Sequence, residues 1–214
     1  MAPQVTYELL RSVFAANEVL RFPGASLPAS LVHAPTRAYL ATVGLPAVSN
    51  WLFLPPVWHA DEPLSTVGEV DPYLDDMVGL PAGAPDWTVV GQVADDLLAV
   101  DGESGRLWFF PGGEDEIVPS FDRIDTLGLF LHVLQRERTA LYGPEDGADD
   151  GLDPHAEIDR VRAELRAIDP AAFADPEGTW ARLLQGFEDE WTDFSVEEPA
   201  PPGDGAFQAP PHPR

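Results

Sequence analysis

The segment from Leu97 to Phe110 constrains the fold more than any other. Two apolar runs, Leu97 to Asp101 and Arg106 to Phe110, are joined by Asp101-Gly102-Glu103-Ser104-Gly105. Glycine reaches positive φ without a Cβ penalty, so this spacing closes a tight β-hairpin. A hairpin makes at least part of the sheet antiparallel. Trp87 to Val93 is rich in β-branched residues and predicts a further strand, with Ile117-Val118 as a candidate short one. Val19 to Phe22, stopped by Pro23-Gly24, and Trp51 to Leu54, stopped by Pro55-Pro56, read as short strands. Residues 55 to 85 are broken by Pro and Gly and are expected to be irregular, with a short helix near Asp71 to Val78.

Helices surround these strands. Thr6 to Ala16 has a capping Thr6 and an apolar face of Leu9, Leu10, Val13 and Phe14, with Asn17 to end it. Pro35 to Val43 starts on proline and ends on Gly44, suited to the left-handed position after a helix. A long helix from Asp122 to about Leu141 follows, with Ile124, Leu127, Phe130, Leu131 and Leu134 on one stripe. Two Asp-Pro pairs then open helices over Pro154 to Ile168 and Pro176 to about Trp191. Trp180 and Trp191 fall on nearly the same face, for which core packing is the reading. From Ser195 onward the chain is rich in Pro, Gly, Ala and acid, and a disordered tail is expected. The expected organisation is one domain over residues 1–194 and a tail over 195–214.

Charge bounds the function. The 214 residues hold 37 Asp and Glu against 12 basic residues, all arginine, for a net charge of -25. A lysine-free chain rich in Ala, Gly and Pro matches the coding bias of GC-rich bacterial genomes. This charge opposes binding to nucleic acid and to anionic membranes, and favours a basic partner. Solubility alone is the competing explanation. There are no cysteines, so disulfides, thiolate metal sites and Cys nucleophiles are excluded. Met1-Ala2-Pro3-Gln4 has neither a basic n-region nor an apolar h-region, so a cytoplasmic location is expected.

No arrangement of residues announces catalysis. The five histidines have no metal-ligand spacing, and His132 sits beside the core stripe as a structural residue. The acidic loop from Asp146 to Asp153 lacks the ligand alternation and closing Glu of an EF-hand and reads as a solvated loop. Asp75-Asp76 and Asp95-Asp96 are adjacent carboxylates on turns, which is not the contrasting pair that acid–base chemistry requires. A phosphate-binding loop with a lysine is impossible, and no G-x-S-x-G occurs. No metal and no cofactor is expected.

One feature stands out among the charges. No basic residue lies between Arg37 and Arg106, and eleven acids do. The same span holds Trp51, Trp58, Tyr73 and Trp87. Acid around aromatics on loops suits capture of a basic partner. The candidate contact residues are Trp58, Asp61, Glu62, Asp71, Tyr73, Asp75, Asp76, Asp95, Asp96, Asp101 and Glu103. A solvated loop region over core aromatics is the competing reading.

The chain also carries a succession of short motifs. They are Val19-Leu-Arg-Phe-Pro23, Leu27-Pro28, Pro35-Thr-Arg37, Tyr39-Leu-Ala-Thr-Val-Gly-Leu-Pro46, Trp87-Thr-Val-Val-Gly91, Leu98-Ala-Val-Asp101, Gly105-Arg-Leu-Trp108 and Val118-Pro-Ser120. Their order resembles the SUKH superfamily of immunity proteins, specifically its fourth group. The acidic stretch from Trp58 to Asp76 and the Pro-rich tail depart from that pattern. The resemblance implies an α+β fold, a curved and largely antiparallel sheet with helices packed on it, ending in a helical C-terminal part. It implies a cytosolic inhibitor that occludes a cognate polymorphic toxin and performs no chemistry. Nucleases and nucleic-acid deaminases are common toxins in such systems, and their basic substrate sites would suit an acidic inhibitor. Two alternatives stand beside this: a general acidic binding or adaptor module, and a carboxylate-based enzyme acting on a small cationic substrate.

Overall fold

The structure is a computed structural model that describes residues 5–48, 52–57, 59–70, 74, 80–94, 96–111, 116–142 and 153–196, with the backbone alone for 154 and 190–196. In chain order the described elements are α1 (Tyr7–Arg11), β1 (Val19–Leu20), α2 (Ala34–Thr42), β2 (Leu45–Pro46), β3 (Phe53–Leu54), α3 (Val67–Val70) and β4 (Thr88–Val93). They continue with β5 (Asp96–Val100), β6 (Leu107–Phe110), β7 (Val118–Pro119), α4 (Ile124–Arg136), α5 (Arg138–Tyr142), α6 (Pro154–Ile168) and α7 (Thr179–Val196). The class is α+β, as expected, and the C-terminal part is helical. The expected tail falls outside the described residues from 197 onward, and α7 runs to Val196, across the boundary drawn at 194.

The main sheet is an antiparallel meander in the order β3-β4-β5-β6-β7. Its centre is the predicted hairpin, with Leu98 opposite Phe109 and Val100 opposite Leu107. Gly105 takes φ +77, and a Cβ there would lie 2.1 Å from the His33 ring. Only glycine meets both demands. A register shift between Val89 and Gly91 places a bulge in β4, a device that bends a strand. β1 and β2 form a separate antiparallel pair.

Side-chain alternation gives the sheet two covered faces. Leu98, Val100, Leu107 and Phe109 enter the larger core beneath the helices. Leu97, Ala99, Trp108 and Phe110 face a smaller cluster built on Trp87, Val67, Leu74 and Ala84. Trp87 stacks on Trp108 with ring centroids 5.6 Å apart. In the larger core Trp180 of α7 meets Phe130 of α4 at 5.1 Å and Phe121 at 5.4 Å, and Phe109 of β6 at 5.8 Å. These rings anchor α4 and α7 to the sheet.

Several local expectations are met and several shift. Thr6 caps α1 by accepting the Leu9 amide at 3.1 Å, but the helix stops at Arg11, where the Ser12 hydroxyl donates to the Leu9 carbonyl. Gly44 ends α2 at φ +89, and its missing Cβ leaves room for the Leu20 carbonyl. Asp153 caps α6 as predicted. The helix predicted over Asp122 to Leu141 is two helices, broken at Glu137, whose carboxylate is held by Arg136 at 2.6 Å and by Arg160 of α6 at 2.5 Å. Arg123, not Asp122, precedes α4, because Asp122 pairs with Arg106 at 2.9 Å. Asp175 folds an extra turn onto the Glu177 amide, so α7 begins at Thr179 and not at Pro176. The helix expected near Asp71 to Val78 lies outside the described residues apart from Leu74, as does most of the acidic loop from Asp146 to Asp153.

Candidate partner-binding surface

The surface begins with a run of fifteen residues, Phe22 to Thr36, that carries no Asp, Glu or Arg. Its backbone is pinned at successive points. The Ser26 hydroxyl donates to the Ala60 carbonyl, and the Ser26 carbonyl accepts the Leu64 amide at 2.9 Å. The Ser30 hydroxyl donates to the Asp86 carbonyl at 2.8 Å. The Val32 and His33 amides both donate to the Gly102 carbonyl, at 2.9 and 2.7 Å. A Cβ on Gly102 would strike the Ser30 carbonyl at 2.3 Å, so the hairpin tip lies directly on this segment. Arg37, half-buried, donates to the Leu31 carbonyl at 2.8 Å and reaches those of Pro28 and Gly24. Its guanidinium braces the segment through carbonyls and meets no carboxylate there.

These pins gather acids that are far apart in sequence. Asp61 and Glu62 arrive with the Ala60–Leu64 stretch, Asp86 with its own backbone, and Asp101 and Glu103 with the hairpin tip. Asp61, Asp86 and Glu103 are exposed, while Glu62 and Asp101 are half-buried. Between them Val32 is 62% exposed, beside exposed Ala29, Ala34 and Pro35. The result is a small apolar segment bordered by carboxylates.

The electrostatics are one-sided. Each described arginine is already engaged: on a carboxylate, as for Arg106, Arg123, Arg136, Arg160, Arg162 and Arg182, on a backbone carbonyl, as for Arg11 and Arg37, or over the rings of Tyr7, Tyr142 and Phe173. None of the arginine ion pairs reaches Asp61, Glu62, Asp86, Asp101 or Glu103; Glu62 meets the exposed His59 at 3.9 Å. Asp101 binds its own turn, accepting from the Ser104 hydroxyl at 2.5 Å and the Glu103 amide at 3.0 Å. Partial burial works to raise its carboxyl, but these bonds, with His33 nearby, outweigh it and hold the group below the usual carboxylate range. Asp101 is therefore a fixed negative charge at neutral pH.

The remaining candidates fall elsewhere. Asp96 starts β5 at the end opposite the hairpin tip, five residues or about 17 Å from Asp101. It is buried and turned to the helices, where it accepts from the Thr179 hydroxyl at 2.6 Å and from Arg182 at 3.1 Å. Trp58, Asp71, Tyr73, Asp75, Asp76 and Asp95 lie outside the described residues. Asp86 and the segment beside Val32 were missed by sequence reasoning. The uncharged run from Phe22 to Thr36 does not mark the second by itself, since Ala38 to Ala60 carries no Asp, Glu or Arg either.

A groove of about 940 Å3 lies on the helical side, between α6 and α7, lined by Arg162, Arg166, Phe173, Arg182 and Glu188 among others. Its lining mixes arginines with acids: Arg162 pairs with Glu188, Arg182 with Asp96 behind it, and Arg166 lies over the Phe173 ring. His132 in α4 is buried with Nε2 3.3 Å from the Ser12 hydroxyl, and burial, with Arg136 nearby, holds its pKa below the ordinary imidazole value. It takes a structural place between α1 and α4. Among the described residues no group of His, Asp and Glu is placed to hold a metal ion, and no helix is long and apolar enough to cross a membrane.

An antiparallel sheet with helices packed on it and a helical C-terminal part defines an α+β protein. The SUKH-4 immunity protein family matches residues 5–186, and the chain belongs to that family. No curated protein and no solved structure matches it.

Proposed function

We propose that this chain binds a cognate polymorphic toxin in the cytoplasm and neutralises it by stoichiometric occlusion, with no chemistry of its own. Membership of the SUKH-4 family over residues 5–186 carries this reading. The partner is a basic protein, in the first instance a nuclease or nucleic-acid deaminase domain. Such a domain must attract a polyanion, and a net charge of -25 answers the same surface. Steering by such a field raises the encounter rate, which suits an inhibitor that must act before its toxin does. Like charge sets the chain apart from nucleic acid and from anionic membranes as partners.

The reading is supported against a carboxylate enzyme by the state of the acids. Acid–base catalysis near neutral pH calls for a carboxyl pushed upward in a concave site. Among the described residues the carboxyls that are displaced, Asp101 and Glu137, are both pushed down, Glu137 mainly by its hydrogen bond from Arg160. The groove between α6 and α7 mixes arginines with acids and does not converge carboxylates.

Co-expression tests the proposal. The toxin domain encoded beside this chain's gene should kill a host that lacks this protein, and the full chain should restore growth and co-elute with the domain. The complex should weaken steeply between low and high salt. Co-elution without rescue would favour the adaptor reading, and neither rescue nor co-elution would remove the immunity reading.

A further inference from the structure

Resting on that reading, we propose that the exposed segment from Ala29 to Pro35, centred on Val32, is the apolar heart of the toxin contact. Asp61, Glu62, Asp86, Asp101 and Glu103 form its acidic border, and the occupant is a cationic protein surface. Interfaces are built this way, with a desolvated apolar centre ringed by polar groups that set register and exclude wrong partners.

Four observations converge on this place. Among the described residues Val32 is the most exposed large hydrophobic, at 62%, although its amide is fixed by Gly102. The segment is pinned at its middle, because Arg37 holds the Leu31 carbonyl and the Gly102 carbonyl accepts the Val32 and His33 amides. A preorganised loop loses little entropy on binding. Asp86, Asp101 and Glu103 reach it from two separate parts of the chain, Asp61 and Glu62 come in at the neighbouring Ser26, and among the described residues none of the five has an arginine partner. Among the described arginines, Arg37 braces the segment through backbone carbonyls and the others are engaged elsewhere, which leaves these carboxylates open to a cationic partner. Charge also selects among occupants. A second copy of this chain would bring acid against acid, and a nucleic acid or an anionic lipid surface would be repelled in the same way. A basic protein with a small apolar recess is what remains.

The probe is the toxin domain encoded beside this chain's gene, titrated against the full-length protein. Two variants address the surface, Val32→Asp and the double Asp86→Arg/Glu103→Arg. Each changes only exposed side chains, so thermal melting should stay near wild type. Glu177→Arg, an exposed acid near the Asp96 end of the sheet, makes one such charge reversal, half that of the double variant, away from the segment. The surface variants should each raise Kd by about 100-fold and abolish rescue, while Glu177→Arg stays within about threefold of wild type. Wild-type affinity in both surface variants, with the wild-type chain binding normally, would overturn the surface and leave the immunity reading standing. Failure of the wild-type chain to bind would instead bring down the immunity reading and this inference with it. Self-association of the chain that disappears in Val32→Asp would also overturn it, by giving the segment a different occupant.

Discussion

Asp96→Ala separates a structural carboxylate from a contact residue. Asp96 is 5% exposed and accepts from the Thr179 hydroxyl at 2.6 Å, and Thr179 is itself 6% exposed. Removing the carboxylate strands a buried hydroxyl, which costs about 1–3 kcal/mol. The Arg182 side chain is 45% exposed and can return to water, so its lost ion pair adds at most about 1 kcal/mol. A loss of about 2–3 kcal/mol is expected, measured as a lower urea midpoint at an unchanged slope. Asp96→Ala/Thr179→Val should recover about 1 kcal/mol or more of this, because the Thr179 hydroxyl is then no longer left stranded. Toxin affinity, measured where both proteins are folded, should be unchanged. A stability within about 0.5 kcal/mol of wild type, or an intact fold with weakened toxin binding, would refute the reasoning and return Asp96 to the contact surface.

Three further outcomes follow from the interior. The Tyr39 hydroxyl is buried with no hydrogen-bond partner among the described residues, and burial, with Asp125 nearby, pushes its pKa up. Tyr39→Phe should be neutral or stabilising by up to about 1 kcal/mol on thermal melting. Gly128→Ala should destabilise by about 1–3 kcal/mol, since its Cβ would sit 2.1 Å from that hydroxyl, and Tyr39→Phe in the same chain should relieve most of the loss. His132 has a folded-state pKa below its ordinary value, so the unfolded chain takes up its proton first. Its contribution is fully present above about pH 6.5 and is lost as pH falls through the folded value. Wild type should therefore lose more stability than His132→Gln between neutral and mildly acidic pH.

Local chemistry was legible wherever short-range sterics decide it. The glycines of the Asp101–Gly105 turn, Gly44 after α2 and Asp153 before α6 each mark a boundary that the structure keeps. Boundaries failed where another group competed, distant for Asp122 and Glu137 and local for Ser12 and Asp175. Asp122 is drawn to Arg106, Glu137 to Arg160, and Asp175 to a turn of its own, and none of these partners is visible from helical periodicity. The acid surface was legible as a count, a span without basic residues, but not as a place. Its convergence depends on hydrogen bonds of Ser26, Ser30, Val32 and His33 to the loops around Ala60, Asp86 and Gly102. Asp96 was grouped with the other acids because sequence gives its charge and not the direction it points.

Titrating toxin activity against this chain tests the central claim most directly. With the toxin domain held well above Kd, its activity should fall linearly and reach zero at one equivalent of the chain, with the two proteins recovered as an intact complex. Inhibition that is complete at a small fraction of an equivalent would point to turnover and contradict occlusion. Full activity at several equivalents would contradict the immunity role itself.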